Sequence, residues 1–300
     1  MIKDIAVLIT CHNRKEKTLL CLQKLVDAYN VSKSAISITI FLTDDGCTDG
    51  TADAVKTTFS GFNIHVLEGS GNLFWAGGMR NSWREALKNG FDAYLLLNDD
   101  TFVYENLFVE LLKIDEYSRE KYNMSGIYCG STCNIEGDMT TYGGNILLNR
   151  FLYKVKLLDP NNVVQECELG NANIMYVSSE VVDKIGILDK NYVHGAADYD
   201  YTLKARKINI PVLASTRYCG SCEFDHRNPY DTFRKHNLSE RIKYLYNPLT
   251  LAFTDNLYYM RKHFPYRYPI YFVVGWFKIL FPSFYLKLDF RKDKSEILFH

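Results

Sequence analysis

The first hundred residues alternate short apolar runs with longer amphipathic stretches. β-Branched and apolar side chains predict strands over residues 5–10, 36–42, 64–67 and 93–97, and a helical period predicts helices over 15–29, 51–59 and 75–89. A polar or glycine-containing turn precedes each helix. This pattern predicts an α/β fold, with a mostly parallel central sheet flanked by helices and with ligands beyond the carboxyl ends of its strands.

The pattern changes in the second hundred residues. Short, aromatic and glycine-punctuated segments over residues 126–158 predict antiparallel hairpins. A strand is predicted over 173–177, and helices are predicted over 179–185 and 198–207. We therefore expect one domain over residues 1–228, with a first half at 1–101 and a second half at 102–228, followed by a helical extension at 229–300.

The predicted extension is rich in Tyr, Phe, Arg and Lys and is interrupted by Pro265, Pro269 and Pro282. Its most apolar piece, residues 270–281, is too short to span a bilayer and contains Lys278. Two interpretations stay open for this piece. It is a helix that lies in a membrane interface or a helix that packs on the domain.

Composition narrows the class of protein. The chain has 300 residues, 47% of them hydrophobic, which is enough for a large core, and its 35 basic and 35 acidic side chains give no net charge that would attract nucleic acid. The first residues lack the pattern of a secretory signal, so we expect a cytoplasmic protein. Eight scattered cysteines favour reduced thiols, and Cys219 and Cys222 have no second pair at zinc-finger spacing.

Acidic residues follow two of the predicted strands. Asp44 and Asp45 leave the second strand and enter a glycine turn, where a carboxylate can accept hydrogen bonds from a base N–H or a ribose hydroxyl. An Asx-turn with a helix cap is the alternative, and it suits Asp49. Asp99 and Asp100 end the fourth strand, and oxygen ligands of this kind suit Mg²⁺ or Mn²⁺, although many strands end in a polar turn.

A third acidic motif stands at a predicted helix start. Asp198 and Asp200 are separated by one residue, at a position where the helix dipole favours negative charge. Capping explains one of these carboxylates but does not require both. The sequence therefore offers three acidic motifs, each at the end of a strand or the start of a helix.

The order and spacing of these motifs resemble the family 2 glycosyltransferases with the GT-A fold, in particular their rhamnosyltransferase-like members, over about residues 5–227. Residues 10–14 are similar to the family's opening T-x-x-N-R turn, 44–49 to its D-D-G-S-x-D nucleotide-binding turn, and 71–81 to the N-x-G-x-A-G-x-x-N segment that crosses the donor. Residues 98–100 take the place of the D-x-D metal motif, and residues 197–200 with Arg206 take the place of E-D-x-D followed by R. The chain departs from the pattern at Asn98 and Ala197, where the family has Asp and often Glu.

The resemblance implies a set of residues that bind the nucleotide-diphosphate sugar donor in the first half of the domain. They are Thr10, His12, Asn13, Arg14, Asp44, Asp45, Asn72, Trp75, Gly77, Gly78, Arg80, Asn98 and Asp99. Guanidinium groups match diphosphate oxygens, an indole can stack on sugar or base, and glycines let the backbone approach a donor. Salt bridges, core packing and a tight helix start are the respective alternatives for these residue types.

The resemblance also implies an inverting, metal-dependent reaction. Asp198 would be the base, Asp200 and Arg206 would support it, and Asp100 with His226 would bind Mn²⁺ or Mg²⁺, although His226 could equally be a surface histidine. The expected donor is a UDP- or dTDP-sugar, with dTDP-rhamnose as one candidate. The expected acceptor is a glycan or lipid-linked saccharide of surface polysaccharide synthesis, reached at the inner face of the cytoplasmic membrane.

Other functions remain to be separated from this one. A protein of the same fold that binds sugar nucleotides without turnover is the alternative, and Asn98 and Ala197 argue for it. A nucleotidyltransferase or a dinucleotide-binding dehydrogenase would carry a glycine-rich loop after the first strand, and residues 10–17 lack those glycines.

Overall fold

Strands and helices alternate through the first hundred residues, as the hydrophobic pattern predicts. The computed structural model describes residues 3–32, 36–224 and 236–287. The elements of this first part are β1 (Asp4–Cys11), α1 (Lys15–Ser32), β2 (Ser37–Asp44), α2 (Thr51–Thr58), β3 (Ile64–Glu68), α3 (Phe74–Ala86) and β4 (Ala93–Leu97). All four predicted strands and all three predicted helices are present, and the ends of the helices differ from the prediction by less than a turn.

The second part of the chain adds shorter strands and three helices. They are β5 (Phe102–Val103), α4 (Leu107–Tyr122), β6 (Ile127–Cys133), β7 (Thr140–Tyr142), β8 (Gly144–Asn149), β9 (Lys154–Leu157), β10 (Gln165–Glu166), β11 (Leu169–Gly170), β12 (Ile174–Ser178), α5 (Ser179–Ile185), α6 (Ala197–Arg206) and β13 (Val212–Ser221). The predicted antiparallel hairpins are present, since β6 pairs antiparallel with β7 and β8 with β9, and β6 also pairs in parallel with β13. Helix α4 and strands β5, β10, β11 and β13 are additions to the predicted elements.

One large sheet joins the two predicted halves of the domain. Its strand order is β10-β13-β6-β12-β4-β1-β2-β3, with β5 beside β13 and β7 beside β6, and β11, β8 and β9 form a separate small sheet. Strands β4, β1, β2 and β3 run parallel, and β12 is antiparallel to β4. The carboxyl ends of β1, β2 and β4 therefore meet at one edge, which brings the first two acidic motifs together.

Apolar side chains of the central strands pack on both faces of this sheet. In β1, Ala6 and Leu8 point into one core cluster, which includes Trp83 of α3, whereas Val7 and Ile9 point into the other. Successive side chains of a strand point to opposite faces, so a strand covered on both sides reads as a continuous apolar run. This is why β1 is buried along nearly its whole length and why helices flank the sheet.

Four helices follow the sheet in the C-terminal segment: α7 (Leu238–Tyr246), α8 (Phe253–His263), α9 (Tyr268–Leu280) and α10 (Pro282–Lys287). Tyr259, Met260 and Phe264 of this segment belong to the main core, and Gly275 of α9 lies so close to α8 that an added Cβ would fall 2.2 Å from the Phe253 ring. The apolar piece predicted at residues 270–281 is helix α9. Among the helices of the described residues, none has the length and apolar character needed to cross a membrane.

All eight cysteines lie in the described ranges and are free thiols, in agreement with the prediction of reduced cysteines. Cys219 and Cys222 are both buried, at the end of β13 and just beyond it. Burial raises the pKa of the Cys219 thiol to about 12, so this thiol stays protonated at neutral pH.

Candidate functional site

A cavity of about 690 Å³ opens beyond the carboxyl ends of β1, β2 and β4. Both halves of the domain and the C-terminal segment contribute to its wall. The predicted residues that line it are Thr10, His12, Arg14, Asp45, Trp75, Asn98, Asp100 and Asp198. Asp100 comes from the first half of the domain and Asp198 from the second half, in different acidic motifs. Both face the same cavity.

Asp45 organises the turn that crosses the cavity floor. Its carboxylate is buried and accepts backbone N–H bonds from Gly71, Leu73 and Phe74 at 2.8, 2.9 and 2.9 Å. The Nδ1 of His12 lies 2.6 Å from the Asp45 carbonyl oxygen. Asp45 therefore fixes residues 71–74 against the end of β2, and its oxygens have backbone partners before any ligand binds.

The rest of this turn is held by its own polar side chains. Asp44 accepts a hydrogen bond from the backbone N–H of Cys47, and Asn13 accepts one from the backbone N–H of Thr48. Asp49 accepts from the backbone N–H of Lys15, at the start of α1, and from Thr51 at the start of α2, whose N-cap is Gly50. Asp44 and Asn13 therefore shape the turn from outside the cavity wall, and Asp49 stabilises the starts of two helices.

Arg14 links the two carboxylates of the second acidic motif. Its guanidinium forms ion pairs with Asp99 and with Asp100, the latter at 2.6 Å. Asp99 is buried, which raises its pKa to about 6 against the opposing effect of Arg14. Burial also acts against the charge of Arg14, but the two carboxylates outweigh it and raise the pKa of the guanidinium. A fixed positive charge therefore stands at the cavity wall.

Asn98 connects the second motif to the segment at residues 71–81. Its side-chain oxygen accepts a hydrogen bond from the Trp75 indole N–H at 2.7 Å. An aspartate at this position would accept the same bond, so the departure from D-x-D leaves the contact possible while it removes one negative charge. The Trp75 ring is thereby oriented along the cavity wall.

Of the described residues at this edge, Asp100 alone offers a carboxylate that suits a divalent cation. Among the described residues, no three His, Cys, Asp or Glu side chains are grouped so that they could hold a metal ion. His226, the second predicted ligand, lies outside the described residues. Asp100 is partly exposed at the cavity, and Mg²⁺ or Mn²⁺ can be bound by one protein carboxylate together with substrate phosphates and water.

Asp198 lies in the first turn of α6 and faces the cavity. Its two carboxylate oxygens accept backbone N–H bonds from Tyr199 at 2.8 Å and Ala172 at 3.2 Å. Burial raises the pKa of Asp198 to about 6, against the opposing effect of these bonds. A carboxylate that is mostly ionised at neutral pH, yet more basic than usual, can accept a proton from a ligand in the cavity.

Three further predicted site residues lie away from the cavity wall. Arg80 donates to the carbonyl oxygens of Asp189 and Tyr192 at 3.0 and 2.8 Å. Asp200 is buried against His263, with Nε2 to Oδ1 at 2.6 Å. Arg206 pairs with a surface glutamate at 3.4 Å. The structure brings Arg80 and Asp200 to the loop and helix that carry Asp198, whereas Arg206 stands at the opposite end of that helix, α6, and pairs there with Glu166.

Gly78 brings helix α3 against the end of β1. A Cβ at this position would fall 2.2 Å from Cγ2 of Thr10, and one at Gly77 would fall 3.1 Å from the Cβ of Leu73. The backbone of α3 therefore approaches the strand more closely than any side chain would allow. Asn72, in the exposed turn before α3, donates its backbone N–H to Ser70 and does not line the cavity.

Several cavity residues were not predicted from the sequence. They are Tyr153, Asn171, His194, Tyr199, Glu223, Asn256, Tyr259, Met260 and the stretch 248–252. Tyr199 lies inside the motif at residues 197–200, but no local motif marks the residues near the small sheet or in the C-terminal segment, because only the folded chain brings them to the site. The aromatic content of the segment after residue 230 was the one available signal.

Comparison with known proteins assigns the family. A sequence model described as glycosyl transferase family 2 matches residues 6–161, more than half of the chain. The chain belongs to this family. A comparison of this chain with curated protein sequences found no match.

Solved structures share the GT-A fold of this family 2 protein. The mannosyltransferase PcManGT of Pyrobaculum calidifontis, solved with GDP-Man and Mn²⁺, is 11% identical over 93% of this chain and 87% of its own, with a TM-score of 0.55. S. aureus TarS 1-349 in complex with UDP-GlcNAc is 14% identical over 85% of this chain and 70% of its own, with a TM-score of 0.51. These likenesses extend beyond residue 161 and confirm the predicted α/β architecture of the whole domain.

Proposed function

We propose that this protein is an inverting glycosyltransferase that moves a sugar from a nucleotide-diphosphate donor to an acceptor hydroxyl. The observation that carries the proposal is the pair Asp100 and Asp198, which come from distant parts of a family 2 chain and face one cavity. A cavity of about 690 Å³ is within the range of small-molecule binding sites.

Asp198 is proposed as the general base. As the acceptor oxygen attacks the anomeric carbon, its proton passes to the Asp198 carboxylate, and the bond from that carbon to the phosphate oxygen breaks with its electron pair on the nucleoside diphosphate. One in-line displacement inverts the anomeric centre. The raised pKa of Asp198, about 6, supports this role because it increases the proton affinity of the carboxylate while leaving it ionised at pH 7.

The donor is proposed to lie along the edge formed by β1, β2 and β4. Arg14 presents a guanidinium at the cavity, Trp75 presents an oriented indole, and Thr10 and His12 complete the wall on that side. Asn13, Asp44, Asp45, Asn72, Gly77, Gly78 and Asp99 would act by shaping this wall. A Mn²⁺ or Mg²⁺ ion held by Asp100 would neutralise charge on the leaving diphosphate.

Donor turnover with a matched variant tests this proposal. Wild-type protein is supplied with UDP- and dTDP-sugars, including dTDP-rhamnose, with and without Mn²⁺, and release of nucleoside diphosphate is followed. Asp198→Asn should lower release by about 100-fold or more while donor binding is kept. Asp53→Asn, at an exposed position of α2, is the control and should retain full release.

Two results would contradict the proposal. If Asp198→Asn turns over as fast as wild type, this carboxylate is not the base. If the wild-type protein binds a sugar nucleotide but releases no diphosphate with any donor, the chain is the non-catalytic binding protein that Asn98 and Ala197 leave as the alternative.

We further propose that α9 rests on a membrane surface and presents the protein to a lipid-linked saccharide. Ile270 and Val273 are 53% and 63% exposed, and Phe281 and Phe284 continue the same apolar surface into α10. An exposed apolar band on a packed helix is what an interfacial helix offers to lipid. The segment at residues 229–300 carries twelve Lys and Arg side chains against six Asp and Glu, and this excess of positive charge suits anionic headgroups.

Charged substitutions test the membrane proposal without disturbing the core. Wild type should float with vesicles that contain phosphatidylglycerol, and the double variant Val273→Asp with Phe284→Asp should not. Val109→Asp, at an exposed apolar position of α4, is the control. Equal flotation of all three proteins would contradict a role of α9 at the membrane.

A further inference from the structure

The loop at residues 189–196, just before helix α6, is bonded from the donor half of the domain. Arg80 of α3 donates to the carbonyl oxygens of Asp189 and Tyr192, and the backbone N–H of Ala76 donates to the carbonyl oxygen of Val193 at 3.1 Å. These bonds satisfy carbonyl groups of the loop. They leave its N–H groups to other partners.

A single carboxylate of the C-terminal segment accepts hydrogen bonds from three of those N–H groups. Oδ2 of Asp255 in α8 accepts from the backbone of Val193 at 3.0 Å, His194 at 2.8 Å and Gly195 at 3.0 Å. Successive N–H groups that converge on one point form a binding site for an anion. Asp255 is 3% exposed. Its buried carboxylate takes the place that a bound anion would have at these N–H groups.

The next residue of the loop has an unusual backbone conformation. Ala196 has φ 58° and ψ 4°, in the left-handed region that residues with a Cβ seldom adopt, and it is the N-cap of α6 without a side-chain cap. A residue stays in this region only when its surroundings hold it there. The direction in which α6 leaves the loop therefore depends on contacts that fix residues 193–195.

A second set of contacts from α8 reaches α6 itself. Asp200 accepts from His263 at 2.6 Å and from Lys262, and the Tyr192 hydroxyl donates to the same carboxylate at 3.1 Å. Asp198 precedes Asp200 by two residues in the same helical turn, and it faces the cavity. Helix α8 thus holds both the loop before α6 and the first turn of α6.

We propose that Asp255 is a positioning residue for Asp198: by binding the N–H groups of residues 193–195, it fixes the left-handed turn at Ala196 and aims the Asp198 carboxylate into the cavity. The inference rests on the proposed function, since it concerns the placement of the proposed base. Loss of the Asp255 carboxylate leaves three N–H groups without their acceptor, the turn at Ala196 relaxes, and Asp198 moves relative to the acceptor hydroxyl.

Two variants of Asp255 test the inference by turnover. Asp255→Ala should lower kcat for transfer about 10- to 100-fold, since a displacement of about 1 Å can have an effect of this size, while the donor Kd stays within about threefold of wild type. Asp255→Asn keeps one oxygen acceptor and should recover most of kcat. Asp115→Ala is the matched control because Asp115 is a buried carboxylate that binds Ser125, Tyr128 and Arg119 far from the loop.

Hydrogen exchange supplies a second measurement that does not depend on activity. Exchange at the N–H groups of residues 193–195 should become faster in Asp255→Ala and remain unchanged in Asp115→Ala. If Asp255→Ala does not fold, the same comparison is made with Asp255→Asn, in which exchange should rise to a smaller extent.

Each contrary result overturns a different step. Unchanged exchange at residues 193–195 would mean that Asp255 does not hold the loop. Faster exchange with unchanged kcat would mean that the loop does not position the base. Full turnover in Asp198→Asn would overturn the proposed base itself, and it is measured independently of both.

Discussion

Replacing Asp198 by Asn should stabilise the protein at neutral pH while it removes turnover. Burial raises the pKa of Asp198 from an ordinary value of 3.8 to about 6. Each tenfold change in proton affinity between the folded and unfolded states corresponds to about 1.4 kcal/mol, so the ionised carboxylate lowers the free energy of unfolding by about 3 kcal/mol above pH 6. Asparagine carries no charge and removes this cost.

The substitution also weakens one hydrogen bond. The amide of asparagine keeps an oxygen for one of the two backbone N–H groups that Asp198 binds, but its nitrogen cannot accept from the other. Loss of that bond costs about 1 kcal/mol. The variant should therefore be about 2 kcal/mol more stable than wild type at pH 8 and about 1 kcal/mol less stable at pH 4.

The sign of the pH dependence follows from the direction of the pKa shift. Because the folded pKa is raised, the wild type is most stable below pH 4 with respect to this group, and it loses that stability as the pH rises to about 6. The variant lacks this titration. The difference in unfolding free energy between the two proteins should change by about 2 kcal/mol between pH 4 and pH 6.

Urea unfolding at a series of pH values measures this difference. Both proteins should have the same m-value, so a change in midpoint reports stability alone. Asp53→Asn, at a solvated position, should show no gain in stability at pH 8. A stability difference for Asp198→Asn that does not vary between pH 4 and pH 8 would refute the reasoning, because it would mean that burial does not raise the pKa of this carboxyl group.

Three further predictions concern the same site. The kcat for transfer should rise about tenfold per pH unit below pH 6 and level off above it, measured under saturating donor, since only the ionised Asp198 accepts a proton; a flat profile down to pH 4.5 would contradict the assignment. Arg14→Ala should bind Mn²⁺ more tightly than wild type in an electron paramagnetic resonance titration, because the guanidinium no longer competes for Asp100; unchanged affinity would show that the ion pair does not compete. Gly78→Ala should lower the free energy of unfolding by about 1–3 kcal/mol in a urea titration, because its Cβ would overlap a β1 side chain, whereas Gly61→Ala, which meets nothing within 4 Å, should not; equal stability of both variants would refute the close contact.

Features that depend on local sequence could be predicted closely. The four parallel strands follow from apolar runs in the sequence, and Asp44 with Asp45 and Asp99 with Asp100 mark where the second and fourth of these runs stop. Parallel pairing then forces the carboxyl ends to meet. The convergence of the first two motifs is thus a consequence of topology that the sequence alone already implies.

Features that depend on distant contacts could not be predicted. Asp255 lies about sixty residues after the loop it binds, in a helix with no recognisable motif, and only the folded chain brings its carboxylate to three N–H groups. Arg80 matches a donor-binding pattern in its spacing, yet it is turned toward two carbonyl oxygens because α3 packs against the loop. A motif specifies a residue type at a position, whereas the direction of the side chain is decided by packing.

The stretch at residues 248–252 lines the same cavity as Asp100 and Asp198, although it follows the sheet by about thirty residues. We propose that exchange of this stretch between related enzymes alters the range of acceptors, since none of the proposed donor residues lies in it. Such chimeras need to keep Asp255, Lys262 and His263, because a replacement helix without them would also lose the contacts that hold the loop at residues 189–196 and the first turn of α6.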